Sequence, residues 1–97
     1  MAAERATLNL TSRVKKNDEI FSSVVDKDLI LFDPTHGAYF GAGRVGSKIW
    51  ELLDEERSVR ALCDKLCVHF DIEPETCVPE TLAFLEQLRE QDLILEA

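Results

Sequence analysis

The chain has 97 residues, 45% of them hydrophobic and 31% charged, with a formal net charge of −8. That length suits one domain with a modest core, and the mixture is that of a folded, soluble protein. The excess negative charge repels phosphate backbones and anionic bilayers, and no apolar run approaches the roughly 20 residues that span a membrane.

The opening MAAERATLNL lacks the apolar segment of an export signal, so the cytoplasm is the expected compartment. Residues 1–7 read as a disordered lead-in to a single domain over residues 8–97. Leu8 and Leu10 alternate with Thr7, Asn9 and Thr11, the pattern of a short strand. The basic cluster Arg13 to Lys16 runs into a polar turn at Lys15 to Asp18. Ile20 to Val25, Leu29 to Asp33 and Gly37 to Phe40 then read as three strands. Asp33-Pro34-Thr35-His36-Gly37 is turn chemistry: Pro presets φ, Gly permits positive φ, and Asp bonds nearby backbone. Together these strands form a small antiparallel sheet with one edge open, and an open edge is either a hazard or a docking site.

Helical spacing takes over after Gly41-Ala42-Gly43. Val45, Ile49, Trp50, Leu52 and Leu53 predict a first helix from about Arg44 to Leu53, with Trp50 in the core. Ser58 suits the N-cap of a second helix, Val59 to about Phe70, whose Val59, Leu62, Cys63, Leu66, Cys67 and Phe70 share one face. Pro74 and Pro79 both fit a helix start. The third helix is expected from Pro79, approached by Val78, to about Gln91. Leu93, Ile94 and Leu95 should fold back onto the core. Strands followed by helices make an α+β pattern.

The third helix carries two apolar rows, Phe84 with Leu88, and Val78 with Leu82 and Leu85. Periodicity leaves two readings open: a small domain uses both rows for its core, or one row lines a groove beside the sheet edge. Catalytic chemistry is hard to find. Gly41-Ala42-Gly43 lacks the lysine and the spacing of a phosphate loop. His36 sits in a turn and His69 near a helix end, with no neighbouring nucleophile. Cys63, Cys67 and Cys77 do not match a standard zinc spacing and read as buried thiols. No catalytic residue, metal ligand or cofactor is assigned, and enzymatic activity is not expected.

The string Leu31-Phe32-Asp33, Gly37, Tyr39-Phe40-Gly41 and Val45-Gly46-Ser47-Lys48-Ile49-Trp50-Glu51-Leu52-Leu53 resembles the PqqD family. Ser58 to Cys63, Phe70-Asp71-Ile72, Cys77, Phe84 to Leu88 and Leu93-Ile94 continue the likeness, which covers roughly residues 8 to 95. Family members commonly follow the aromatic pair with Gly-Leu-Asn; Gly41-Ala42-Gly43 departs from that. The resemblance implies a winged helix-turn-helix-like fold, a three-stranded antiparallel sheet followed by three helices. It implies a recognition element for ribosomally made, modified peptides, which binds the leader of a precursor by strand addition and presents it to a leader peptidase or other modifying enzyme. Lasso-peptide pathways use stand-alone members of this kind. A PqqD-type peptide chaperone for a radical SAM enzyme is the alternative.

Carried onto this sequence, the resemblance implies a pairing edge at Ala38, Tyr39 and Phe40. Val78, Leu82 and Leu85 would line its apolar side, and Arg89 would meet an acidic leader residue. The expected state is a monomer or weak dimer. Two other classes stand beside this reading. A winged-helix DNA-binding regulator is opposed by the net charge. A thiol- or metal-dependent enzyme subunit would need Cys63, Cys67 or Cys77 to be reactive.

Overall fold

The computed structural model describes residues 7–26 and 28–97. The expectation of a disordered lead-in therefore lies, Thr7 apart, outside the described residues, as does position 27 of the first hairpin turn. Six strands and three helices follow in the order β1 (Arg13–Lys16), β2 (Phe21–Val25), β3 (Asp28–Asp33), β4 (Ala38–Ala42), α1 (Arg44–Leu52), β5 (Arg57–Ser58), α2 (Val59–Phe70), α3 (Pro74–Glu90) and β6 (Ile94–Glu96). The fold is α+β, with the expected antiparallel sheet β2-β3-β4 and a second sheet ordered β5-β1-β6. Among the described residues no helix is long and apolar enough to cross a membrane.

Alternation sets the orientation of the first sheet, here called the wing. Leu29, Leu31 and Asp33 of β3 are buried while Ile30 and Phe32 are half-exposed on the opposite face. Ala42 lies opposite Leu29 and Phe40 opposite Leu31, so the inner face continues across β4. α1 packs on that face. The β3–β4 turn forms as its residues dictate. Asp33 Oδ1 accepts the Thr35 N–H at 2.9 Å, and Gly37 takes φ of +65°.

The second sheet was not foreseen. Leu8 to Thr11 is a turn rather than a strand: Asn9 Oδ1 accepts the Thr11 N–H, and the Asn9 carbonyl accepts from Ser12. Leu8 still buries its side chain. The strand comes next, at Arg13–Lys16, where the sequence suggested a basic cluster and turn. Val14 is fully buried at its centre, paired with Arg57 on one side and Glu96 on the other. Both pairings are remote in sequence, so local periodicity carries no trace of them. The C-terminal tail does fold back, as β6. Trp50 is buried next to this sheet, with Lys16 Nζ 4.9 Å above its ring.

α2 runs as expected. Ser58 Oγ accepts the Ala61 N–H at 3.2 Å, and the helix ends at Asp71 in the left-handed region, φ 54°. α3 begins one turn earlier than expected, at Pro74, with Pro79 inside it. Thr76 and Cys77 donate to the Glu73 carbonyl at 3.0 and 2.9 Å, which starts the helix ahead of Pro79. Pro79 removes the donor that would have served the Glu75 carbonyl. Both residues are exposed, so that carbonyl faces solvent, while buried Cys77 holds the first turn to the core.

The core sits between the three helices and the inner faces of the sheets. Ile49 and Leu53, Leu62 and Leu66, Leu85 and Leu88, with Leu31, Val14 and Ile94, are essentially fully buried. Removing the cap of α2 should be felt directly. Ser58→Ala is expected to lower unfolding free energy by about 1 kcal/mol in urea titrations, since the Ala61 N–H loses its partner.

Candidate functional site

β4 pairs with β3 on one side, and on its other side no strand of the described residues pairs with it. β2 is the second free edge of the wing. The two differ in what lies beside them. β4 meets α3 through one ring pair: the Phe40 and Phe84 ring centroids are 6.1 Å apart, tilted at 58°. The contact is possible because α1 presents a glycine there. A Cβ on Gly46 would lie 2.7 Å from Phe84 Cζ and 3.0 Å from Ala42 Cβ. Only a residue without a side chain lets the Phe84 ring settle between α1 and the end of β4.

Two hollows flank this junction. One, of about 240 Å³, lies at the Ala38 end of the strand, between Tyr39 and Phe40 on one side and Glu90, Gln91 and Leu93 on the other. The second, of about 190 Å³, lies between α1 and α3 and is lined chiefly by Val45, Ile49, Ile72 and Phe84, with Glu80 at its polar side. Unpaired backbone, an aromatic wall and two hollows make a slot suited to an extended chain.

The sequence-derived residues divide between this slot and the interior. Ala38 and Tyr39 are exposed on the β4 edge and Phe40 is half-buried against Phe84. The α3 residues do not join them. Leu85 is fully buried in the core, and Val78 and Leu82 pack against it half-buried. Arg89 is 6% exposed and already paired, through NH1 to Glu96 at 2.7 Å and through NH2 to Glu86 at 2.7 Å. Glu86 in turn accepts the Leu8 N–H at 2.8 Å. This face of α3 lies about a third of a turn or more from Phe84 and ties the helix to β6 and the N-terminal segment. In this structure the burial of Leu85 and the two ion pairs of Arg89 turn both inward, and the α3 side chain beside β4 is Phe84, which packs over Gly46. A glycine inside a helical pattern was the available signal, because such a residue costs helix stability and marks close packing.

Electrostatics at the Ala38 end rest on one pair. His36 Nδ1 and Asp33 Oδ2 are 2.6 Å apart. The hydrogen bond to His36 holds the Asp33 carboxyl below its usual 3.8, and the same bond, with the carboxylate charge, lifts His36 above 6.5. Asp33 thus supports the turn above its unfolded value and loses that effect as pH falls through its lowered one. His36 supports it below 6.5 and loses the effect as pH rises through its raised one.

The cysteines form a separate group between α2 and α3. Cys63 and Cys77 are buried, Cys67 is half-buried, and Cys77 Sγ lies 3.5 Å from Thr81 Oγ1. Burial pushes the Cys63 thiol up to about 11 and raises Cys67 too, the opposite of what a nucleophile needs. Among the described residues no group of three or more His, Cys, Asp or Glu is placed to hold a metal ion.

Comparison with known proteins bears on the family. The family model described as coenzyme PQQ synthesis protein D (PqqD) matches residues 28–94, from the start of β3 into β6. A solved structure of TbiB1 in complex with the TbiA(beta) leader peptide superposes with a TM-score of 0.75 at 30% identity, covering 82% of this chain and 93% of that one. A search of the curated proteins gives no match.

Two outcomes follow from the geometry. In an NMR titration His36 should show a midpoint above 6.5, and Asp33→Asn should bring it back toward that value. Gly46→Ala gains about 1 kcal/mol of helix propensity but overpacks against Phe84, at a cost of about 1–3 kcal/mol. Net destabilisation of about 1 kcal/mol is expected in denaturant titration, with the Phe84 ring resonances shifted away from those of Phe40.

Proposed function

Because the chain belongs to the PqqD family, we propose that it is a non-catalytic recognition element that captures the leader segment of a ribosomally made precursor peptide as a strand added to β4. The observation that carries this reading is the free β4 edge walled by Phe84. Main-chain hydrogen bonds along Ala38, Tyr39 and Phe40 give general affinity. Side chains seated in the flanking hollows give register and selectivity. The solved complex of TbiB1 with the TbiA(beta) leader peptide, similar over 82% of this chain, supports a leader peptide as the guest. Of the residues implied by the resemblance, Ala38, Tyr39 and Phe40 stay in the proposed site. Val78 and Leu82 act through the core beneath it.

The acidic surroundings bear on the guest. Glu80 and Glu90 are exposed beside the two hollows and Arg89 is engaged internally, so a leader with lysine or arginine near its apolar anchors suits the slot. After capture the precursor is presented to a processing enzyme in the cytoplasm. In the favoured, lasso-peptide-type reading that enzyme is a leader peptidase, and in the alternative, a PqqD-type peptide chaperone, it is a radical SAM enzyme. Reconstitution with each enzyme separates the two.

Strand addition leaves a signature with a period of two. N-methylation of successive residues of a synthetic leader should weaken binding at alternate positions, by about tenfold where an N–H joins the sheet. Phe84→Ala should weaken the same peptide about tenfold, whereas Val68→Asp, on the exposed face of α2, should leave it unchanged in fluorescence anisotropy. Uniform sensitivity along the peptide, or none, would refute the added strand.

A further inference from the structure

The Ala38 end of the slot offers a guest more than backbone. Asp33 of β3 and Ala38 of β4 are paired residues, so their side chains share a sheet face. It is the inner face: Asp33 is buried with Leu29 and Leu31, and Phe40, two residues on from Ala38, meets Phe84 there. Neighbouring strands lie about 4.8 Å apart. A strand added to β4 therefore sets one residue opposite Ala38, on the same face and about 10 Å from the Asp33 backbone. Ala38 interposes only a methyl group. The long stem of lysine or arginine spans that gap to a carboxylate, and a short side chain does not.

The Asp33 carboxylate lines the hollow, and its two oxygens are held differently. Oδ1 is committed to the turn, where it accepts the Thr35 N–H at 2.9 Å. Oδ2 lies 2.6 Å from His36 Nδ1, and the His36 side chain is 65% exposed against 9% for Asp33. Oδ1 thus has a fixed partner and Oδ2 an exchangeable one. The other titratable groups lining the hollow are Tyr39 on β4, Glu90 at the end of α3 and Asp92 beyond it. With the His36 ring neutral, the lining holds carboxylates and no cation.

We infer that Asp33 selects a lysine or arginine at the leader position opposite Ala38, and that protonated His36 is the built-in competitor this side chain displaces; the inference rests on strand capture at β4. The guest cation takes Oδ2, while the turn keeps the Thr35 bond to Oδ1. The hydrogen bond to Asp33, then the charges of Asp33 and Asp92, lift His36 above 6.5 against some desolvation. Below that raised midpoint the ring is charged and holds the carboxylate. Above it the ring is neutral and the guest meets Asp33 without a rival. A displaced ring loses its partner and returns toward 6.5. Leader affinity therefore rises as pH climbs from 6.5 through the raised midpoint, and binding in that window releases a proton.

The test is fluorescence anisotropy between about pH 5.5 and 8.5, with the synthetic leader of the precursor encoded beside this chain. The peptide is N-acetylated and any histidine in it is replaced by glutamine, so that it does not titrate near neutrality. Wild type should bind about fivefold more tightly at the upper end of the range than at the lower. His36→Gln should bind at the lower end within about twofold of wild type at the upper, with a level profile. Norleucine in place of one lysine or arginine of the leader should weaken wild-type binding about tenfold at the upper end and flatten its profile. A wild-type profile that is level, or that falls as pH rises, overturns the Asp33 subsite and leaves strand capture standing. A rise that survives in His36→Gln, or a norleucine scan with no sensitive position, does the same. Wild type that binds the leader at no pH overturns strand capture, and the subsite with it.

Discussion

Much of this molecule depends on how closely α3 approaches the wing. The distance is set where Phe84 meets the bare backbone of Gly46 and the methyl of Ala42. Were α1 to carry a side chain there, the ring would be pushed out and the helix with it. As it stands, α3 lies near enough for Phe84 to face Phe40, yet no strand of the described residues covers the β4 edge. A free edge in isolation invites indiscriminate pairing. Under the proposed strand capture, the Phe84 wall on one flank restricts the guest to a chain whose side chains suit it.

The opposite face of α3 performs a different task. Arg89 bridges Glu86 on its own helix to Glu96 on β6, and Glu86 receives the Leu8 N–H. Leu85 and Leu88 fill the interior between. One side of a single helix thus belongs to the fixed framework and the other to the slot. The two sheets divide in the same way. β5-β1-β6 gathers distant segments around buried Val14, while among the described residues β2-β3-β4 has two edges and one face uncovered.

Much of this could be read from the residues. The wing strands, the Asp33 to Gly37 turn, α1 and the Ser58 cap of α2 all rest on signals within a few residues of one another, and those are the signals a sequence displays. β1 escaped because its partners lie more than forty positions away at Arg57 and Glu96, and four residues rich in Lys and Arg offer no alternation to notice. Pro79 misled because two prolines five apart both suit a helix start, and the choice was made by Cys77 and Val78 packing onto the core. In the site, the open edge was legible from strand count. The choice between the two apolar rows of α3 was not, because the helical period is the same for both. It is α1, through Gly46, that seats Phe84 beside β4, while Leu88 of the same row stays in the core.

The pairing of β1 with β6 has a kinetic side. Val14 and Glu96 stand near opposite ends of the chain, so joining them closes a loop that contains every other element. The hairpins of the wing close loops of a few residues. Loop-closure entropy grows slowly with length, but contacts between remote residues still slow the search. On a ribosome the wing strands emerge long before the residues of β6, and β1 must wait for its second neighbour until every element between them has been synthesised.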